Sequence, residues 1–223
     1  MPKITVAGRA TQHIPAERGT LRLSVSFSAA RREDVVTAAE RAHGTLVAGA
    51  KDQVAGGAAT WWGSDQVSAW TFDEWIKPSA QEEQVKVRRF RASAGVRVKF
   101  RDFGALSRWA SKVALIDGVS VGGVDWALTD VRRDAAVAQV RASAARDAVA
   151  RAQAYADALG LGAVRLAALY EEGLRPHIAA GGGGVGVAMR AAAAPSGGGG
   201  MELRPDDIEV SCEVTADFET AAG

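Results

Sequence analysis

Histidines, cysteines and paired carboxylates do most protein chemistry, and this chain carries few of them at useful spacing. Its three histidines, His13, His43 and His177, lie in three separate segments. None has a second histidine one helical turn away, as a zinc-binding helix requires. No metal and no cofactor are therefore expected. Cys212 is the single cysteine, which rules out an intramolecular disulfide and a cysteine-based zinc site within one chain. It falls on the apolar side of an alternating strand, where a thiol packs like a small apolar group. A redox-sensing thiol would need exposure and a cationic neighbour. Glu82-Glu83, Glu171-Glu172 and Asp206-Asp207 are adjacent acids. Neighbours in a strand point to opposite sides, so none of these pairs is an acid–base dyad by itself. Ser, His and acid residues show no nucleophile-elbow spacing. No catalytic residue is expected, and the chain reads as a non-enzyme.

Two other groups could bind rather than react. Arg89, Arg91, Arg97, Lys99 and Arg101 form the polar side of one strand, and alternate basic residues can grip phosphates. Against this, no aromatic residues interleave with them in sequence, as a single-strand binder would want. The last strand also presents Glu209, Glu213, Asp217 and Glu219 outward. Were the two strands neighbours, these charges would answer each other across the ladder. The expectation is no nucleic acid partner. Trp61, Trp62, Trp70, Phe72 and Trp75 crowd one strand region. Trp70 and Phe72 share a face, and Trp75 falls on the other. Core packing, a ligand pocket and a subunit interface, where tryptophan is enriched, all remain open for them. The runs Gly181–Gly184 and Gly197–Gly200 lack the Gly-Lys-Ser/Thr and the strand–loop–helix context of a phosphate loop.

The totals set the frame. The chain has 223 residues, 48% hydrophobic and 24% charged, a composition that suits a soluble globular protein with a real core. Lys and Arg number 27 against 26 Asp and Glu, for a net charge of +1. No global field would draw in nucleic acid or an anionic membrane. The opening Met-Pro-Lys-Ile-Thr-Val-Ala-Gly contains no apolar h-region, so a cytoplasmic location is expected. No membrane span is expected either, since about 18 consecutive apolar residues are nowhere found.

The elements that must position these residues follow from periodicity. Ile4–Ala10 and Thr20–Ser28 read as strands, with Pro15 and Gly19 in a hairpin connection. Ser28 reads as the cap of a helix with Val35, Ala39, Ala42 and Leu46 inside, ended by Gly56 and Gly57. Trp61–Ile76 and Val85–Arg101 read as a second hairpin, Phe90, Ala92, Ala94, Val96, Val98 and Phe100 facing inward. Asp102 caps a helix carrying Leu106, Trp109, Ala110 and Val113. The chain thus makes two strands and then a helix, twice. Val119–Leu128 is a further strand, bulged at Gly122 and Gly123. Val131, Ala135, Ala138, Ala142, Ala145, Val149, Ala152, Ala156 and Leu159 recur at spacings of four and three. That is the inner stripe of one helix roughly 40 Å long. Val164–Glu171 and Ile208–Glu219 complete the strands. Between them, residues 173–204 have the Gly/Ala-rich composition of a flexible insert.

The segment from Ala145 to Val164, with Gly160-x-Gly162 at its turn, resembles the alanine-rich helix and glycine turn of SIMPL-domain proteins. Ile4-Thr-Val-Ala-Gly8 is similar to that family's opening, and Ile208-Glu-Val-Ser-Cys-Glu-Val214 to its closing strand. The resemblance implies an α+β fold over residues 1–223 as a single domain, with a curved antiparallel sheet packed on helices, the long one included. It carries no agreed activity and no catalytic residues. The family includes a bacterial periplasmic immunogenic protein that looks like a ring-shaped or channel-like oligomer, and proteins linked to oxidative stress. A homo-oligomeric scaffold is therefore the first expectation. A small-ligand or protein-partner module using the tryptophan-rich strands is the second.

Overall fold

A computed structural model describes residues 2–77, 83–171, 173–175, 188–191 and 204–220. In chain order its elements are β1 (Lys3–Pro15), β2 (Arg18–Ala29), α1 (Arg32–Ala55), β3 (Ala59–Ser64), β4 (Ser68–Ile76) and β5 (Val85–Phe100). There follow α2 (Phe103–Val113), β6 (Val119–Ala127), α3 (Asp130–Ala158), β7 (Val164–Glu171), β8 (Ala188–Ala191) and β9 (Asp207–Thr220). The fold is α+β with antiparallel sheets. The chain forms two compact units. One comprises Met1–Ala16, Leu128–Ala194 and Asp206–Gly223; the other comprises Glu17–Ala127 and Pro195–Pro205.

In the first unit the strand order is β1-β9-β7, with β8 also on β9. Most of the insert expected at 173–204 lies outside the described residues; within it, β8 pairs Ala188–Ala191 with Ser211–Ile208. Along β9 the residues Ile208, Val210, Cys212, Val214, Ala216 and Phe218 are all buried, as their alternation requires. The long helix α3 is unbroken over 29 residues, about 43 Å. The Thr129 hydroxyl caps it, accepting from the Arg132 N–H at 3.3 Å. The buried ridge is Ala136, Val140, Ala144, Ala148, Ala152 and Ala156, every fourth residue. This corrects the stripe read from sequence. Ala152 and Ala156 belong to both, but Val131 is 83% exposed, and Ala135, Ala138, Ala142 and Val149 also face outward. Alanines occur on every side of α3, so they do not single out a face, and two of the large residues in the stripe read from sequence, Val131 and Val149, lie outside. A row of fours runs obliquely to the helix axis.

Contact along that ridge is close. A side chain on Gly8 of β1 would fall onto the Ala144 carbonyl and within 2.7 Å of Ala148. Next to it, the Arg9 N–H donates to the Asp147 carboxylate of α3 at 2.8 Å. Asp147 also accepts from Arg151 Nε, one turn on, at 2.8 Å. The carboxyl of Asp147 is held below its ordinary value, chiefly by the Arg9 N–H and secondarily by Arg151. Beyond the helix, Gly160 and Gly162 take φ of +66° and +73°, conformations open to glycine. The Gln153 side chain secures this turn, accepting from the Val164 N–H and donating to the Gly162 carbonyl, each at 3.1 Å.

In the second unit, β5 is the central strand. It pairs with β2 along one edge, and with β3 and β4 in succession along the other; β6 lies beyond β2. The first arm of the expected second hairpin is thus two strands, separated by residues 65–67. β1 and β2, expected to form a hairpin, lie in different sheets. Gly19, expected in their turn, sits in the β2 ladder between Phe100 and Trp126. Chain reversal there would need a tight turn with positive φ. Instead the chain runs on, and the Glu17 N–H donates to the Ala127 carbonyl at 2.9 Å. Ser28 does not cap α1, because β2 continues to Ala29 opposite Phe90. Arg31 stands at the N-cap and its side chain makes no capping bond, reaching Glu33 instead at 2.8 Å. The expected interior is present. Val35, Ala39, Ala42 and Leu46 of α1 pack with Leu21, Val25, Val96, Val98 and Phe100 of the sheet. Asp102 caps α2, accepting from the Ala105 N–H at 2.9 Å, and Trp109 tilts against Phe100 at 5.7 Å. The bulge falls at Gly122, between residues paired with Arg22 and Leu23.

Two measurements check this packing. Gly8→Ala is expected to lower the unfolding free energy by about 1–3 kcal/mol, as overpacking does; unchanged stability in a denaturant titration would contradict the close approach. For Asp147, a folded pKa below the unfolded one adds stability above the unfolded carboxylate range, and that stability is lost as pH falls through the folded pKa. The stability gap between the parent and Asp147→Asn should therefore narrow as pH drops below about 4. A gap that widens on acidification would refute the Arg9–Asp147 bond.

Candidate functional site

The residues best suited to chemistry do not converge. His13 lies in β1 opposite Glu209. His43 lies within α1, its Nε2 buried without a hydrogen-bond partner. His177, Glu172 and Glu82 fall outside the described residues. Glu171 is paired with Arg141 at 3.2 Å. Cys212 is buried on the inner side of β9. Among the described residues, no three His, Cys, Asp or Glu side chains are grouped to hold a metal. Clefts among the described residues include two small ones. One, of about 180 Å³, is lined by Gln12, His13, Arg132 and Gln139 among others. The other, of about 280 Å³, is lined by Gln53, Arg108, Trp109 and Lys112 among others. Both fall under the roughly 300 Å³ at which small-molecule pockets begin, and neither is lined by an exposed tryptophan.

What does converge is a surface, the side of the five-stranded sheet opposite α1 and α2. Because β5 packs Ala92, Val96, Val98 and Phe100 inward, its alternate residues Arg89, Arg91, Arg97 and Lys99 must face outward. Register then brings the aromatic residues to them. Trp70 lies opposite Arg91 and Phe72 opposite Arg89, while Trp61 lies opposite Lys99. Trp61 and Trp70 are 46% and 42% exposed. The Arg91 guanidinium rests 4.6 Å from the Phe72 ring centroid, within cation–π range. Between the two clusters the outward residues are small, except for Arg22 and Arg97, which oppose each other. Ser24 and Ser26 of β2 face Gly95 and Ser93 of β5. One carboxylate, Asp65, leans over Gly95 and lies 3.7 Å from Arg97.

The other two members of the tryptophan-rich group lie elsewhere. Trp62 points to the opposite side, half-buried against the core, with Lys51 Nζ 5.6 Å from its ring. Trp75 is also on that side. It stands where β4 and β5 run beyond the end of β2 as a two-stranded ribbon, and it is 62% exposed. A ribbon has no helix beneath it there, which explains why both faces of this segment carry aromatic residues.

The acidic row of β9 does not answer the basic row of β5, since the two strands are in different sheets. Its own neighbours pair instead with Glu213, Asp217 and Glu219. Glu213 takes a two-pronged bond from Arg9 at 2.9 and 3.1 Å. Asp217 accepts from Thr5 at 2.7 Å and from Arg175 at 2.7 and 3.0 Å. Lys3 reaches Glu219 at 3.7 Å. Sequence reasoning missed the aromatic–basic juxtaposition because it looked for interleaving along one strand. Aligning the two arms about residues 77–84 would have set Trp70 against Arg91.

No curated protein matches the chain. The sequence profile of the SIMPL family, described as a protein of unknown function (DUF541), matches residues 4–218. That span covers nearly the whole chain, and the protein belongs to the SIMPL family.

Proposed function

We propose that this SIMPL protein is a non-enzymatic recognition protein whose working surface is the outer face of the five-stranded sheet. The observation that supports this most is the exposure of Trp61 and Trp70 beside Lys99 and Arg91, on the side of the sheet opposite α1 and α2. Large aromatics left in water contribute nothing to a core, whereas at an interface each offers a wide, stiff contact area.

A second reading, self-assembly, has its own support. Leu166 and Leu169 of β7, together with Val149 of α3, are large apolar side chains left exposed in the first unit. Among the described residues β7 pairs only with β9, so its other edge is open to another strand.

The two readings separate in solution. If the aromatic residues serve recognition, replacing both Trp61 and Trp70 by Ser should leave unfolding within about 0.5 kcal/mol per site of the parent. Trp109→Ala, in the core, should cost about 3–5 kcal/mol. A comparable loss from the paired surface change would show that these rings serve folding. Self-assembly predicts a sedimenting mass above that of one chain at micromolar concentration, reduced by Leu166→Glu. A single-chain mass throughout that range would refute it.

A further inference from the structure

We propose that the outer face of the five-stranded sheet binds single-stranded nucleic acid, with bases stacked on Trp61 and Trp70 and phosphates held by Lys99 and Arg91. The inference rests on reading this face as a recognition surface, and it names the ligand class. Three sequence-based grounds counted against nucleic acid: the net charge of +1 supplies no global attraction, aromatics did not interleave with the basic stripe, and the acids of the last strand would neutralise it; the fold removes the last two and leaves the first. In the folded chain the aromatics stand directly across the ladder from the cations, and those acids belong to another sheet.

The layout of the face selects the ligand. Lys99 with Trp61 and Arg91 with Trp70 form two clusters eight positions apart on β5, a separation of about 26 Å. Between them the floor is formed by the small residues Ser24, Ser26, Ser93 and Gly95, which leave room for a flat chain, and then by the opposed pair Arg22 and Arg97, each engaged with a carboxylate of its own. A ligand that engages both clusters must be extended, must repeat its negative charge and must offer planar faces at intervals. A free nucleotide reaches one cluster only. A sulfated sugar chain has the charge but no planar faces. Duplex nucleic acid keeps its base faces stacked within the helix. A single strand meets all three conditions, because each base has an aromatic face and each linkage a phosphate.

The charges on the face set the strength. Arg22 pairs with Asp125 at 3.2 Å, Arg89 with Glu74 at 3.0 Å and Arg97 with Asp65 at 3.7 Å. Arg91 and Lys99 have no carboxylate partner among the described residues. Two free cations predict a shallow salt dependence, a slope of log K on log salt of about −1.4. Asp65, over the middle of the floor, opposes the strand.

The test is fluorescence anisotropy of an end-labelled oligothymidine of about 12 nucleotides, titrated with the full chain at low salt, with a heparin fragment as competitor. Saturable binding is expected, and Trp61→Ala and Trp70→Ala should each weaken it about tenfold. Arg91→Ala together with Lys99→Ala should weaken binding and flatten its salt slope, and Asp65→Asn should tighten it. All these side chains are exposed, so circular dichroism and unfolding midpoints should match the parent. Absence of oligothymidine binding overturns the proposal. So does binding that heparin displaces as well as unlabelled oligothymidine and that the tryptophan changes leave intact. Suppose the tryptophan changes alter sedimenting mass, or binding of a purified protein, while oligothymidine never binds. The nucleic-acid assignment then fails and the recognition reading stands.

Discussion

The two-residue repeat of β5 governs the second unit. Every other side chain from Ala92 to Phe100 is held in the core under α1 and α2, and the residues between them have nowhere to go but outward. A slip of one residue would exchange the two sets, burying arginines and exposing Val96 and Val98. The burial that stabilises the fold therefore also locks the cations in place. Because β3 and β4 are registered on the same strand, it locks the aromatic residues beside them too. No separate device is needed to build the surface.

The first unit solves a different problem with the same geometry. Its sheet also has an apolar side and a charged side, but the apolar side meets a helix whose ridge is almost all alanine. Small side chains bring the helix backbone close to β1, and Gly8 marks where the approach is tightest. At that distance a helix carboxylate, Asp147, can satisfy a strand-edge N–H. The charged side is settled within the sheet, Arg9 with Glu213 and Thr5 with Asp217. Several of its ionic groups are occupied with one another, whereas β5 keeps Arg91 and Lys99 without carboxylate partners among the described residues.

Short-range order was legible in the sequence and long-range pairing was not. The alternation of β5 and β9, the inner stripe of α1, the Asp102 cap and the glycine bulge are all local patterns, and each appears where the residues put it. The partner of β1 is about 200 residues away in β9, and no local pattern encodes that choice, so proximity along the chain wrongly suggested β2. The ridge of α3 was misread for another reason. A helix with methyl groups on all sides has no preferred face until a neighbour selects one, and Gly8 does the selecting. The candidate surface was half legible: its basic row and its aromatic cluster were both visible, but their meeting depends on the β4–β5 register.

The central claim is that the serine side of β2 is open while its apolar side is closed. Thiol labelling tests this directly, in a Cys212→Ala background with single cysteines introduced as Ser26→Cys or Val25→Cys. The account predicts rapid modification of the native full chain at position 26 and strong protection at position 25. Equal protection at both positions would mean that the outer face is covered, and the surface assigned here would not exist.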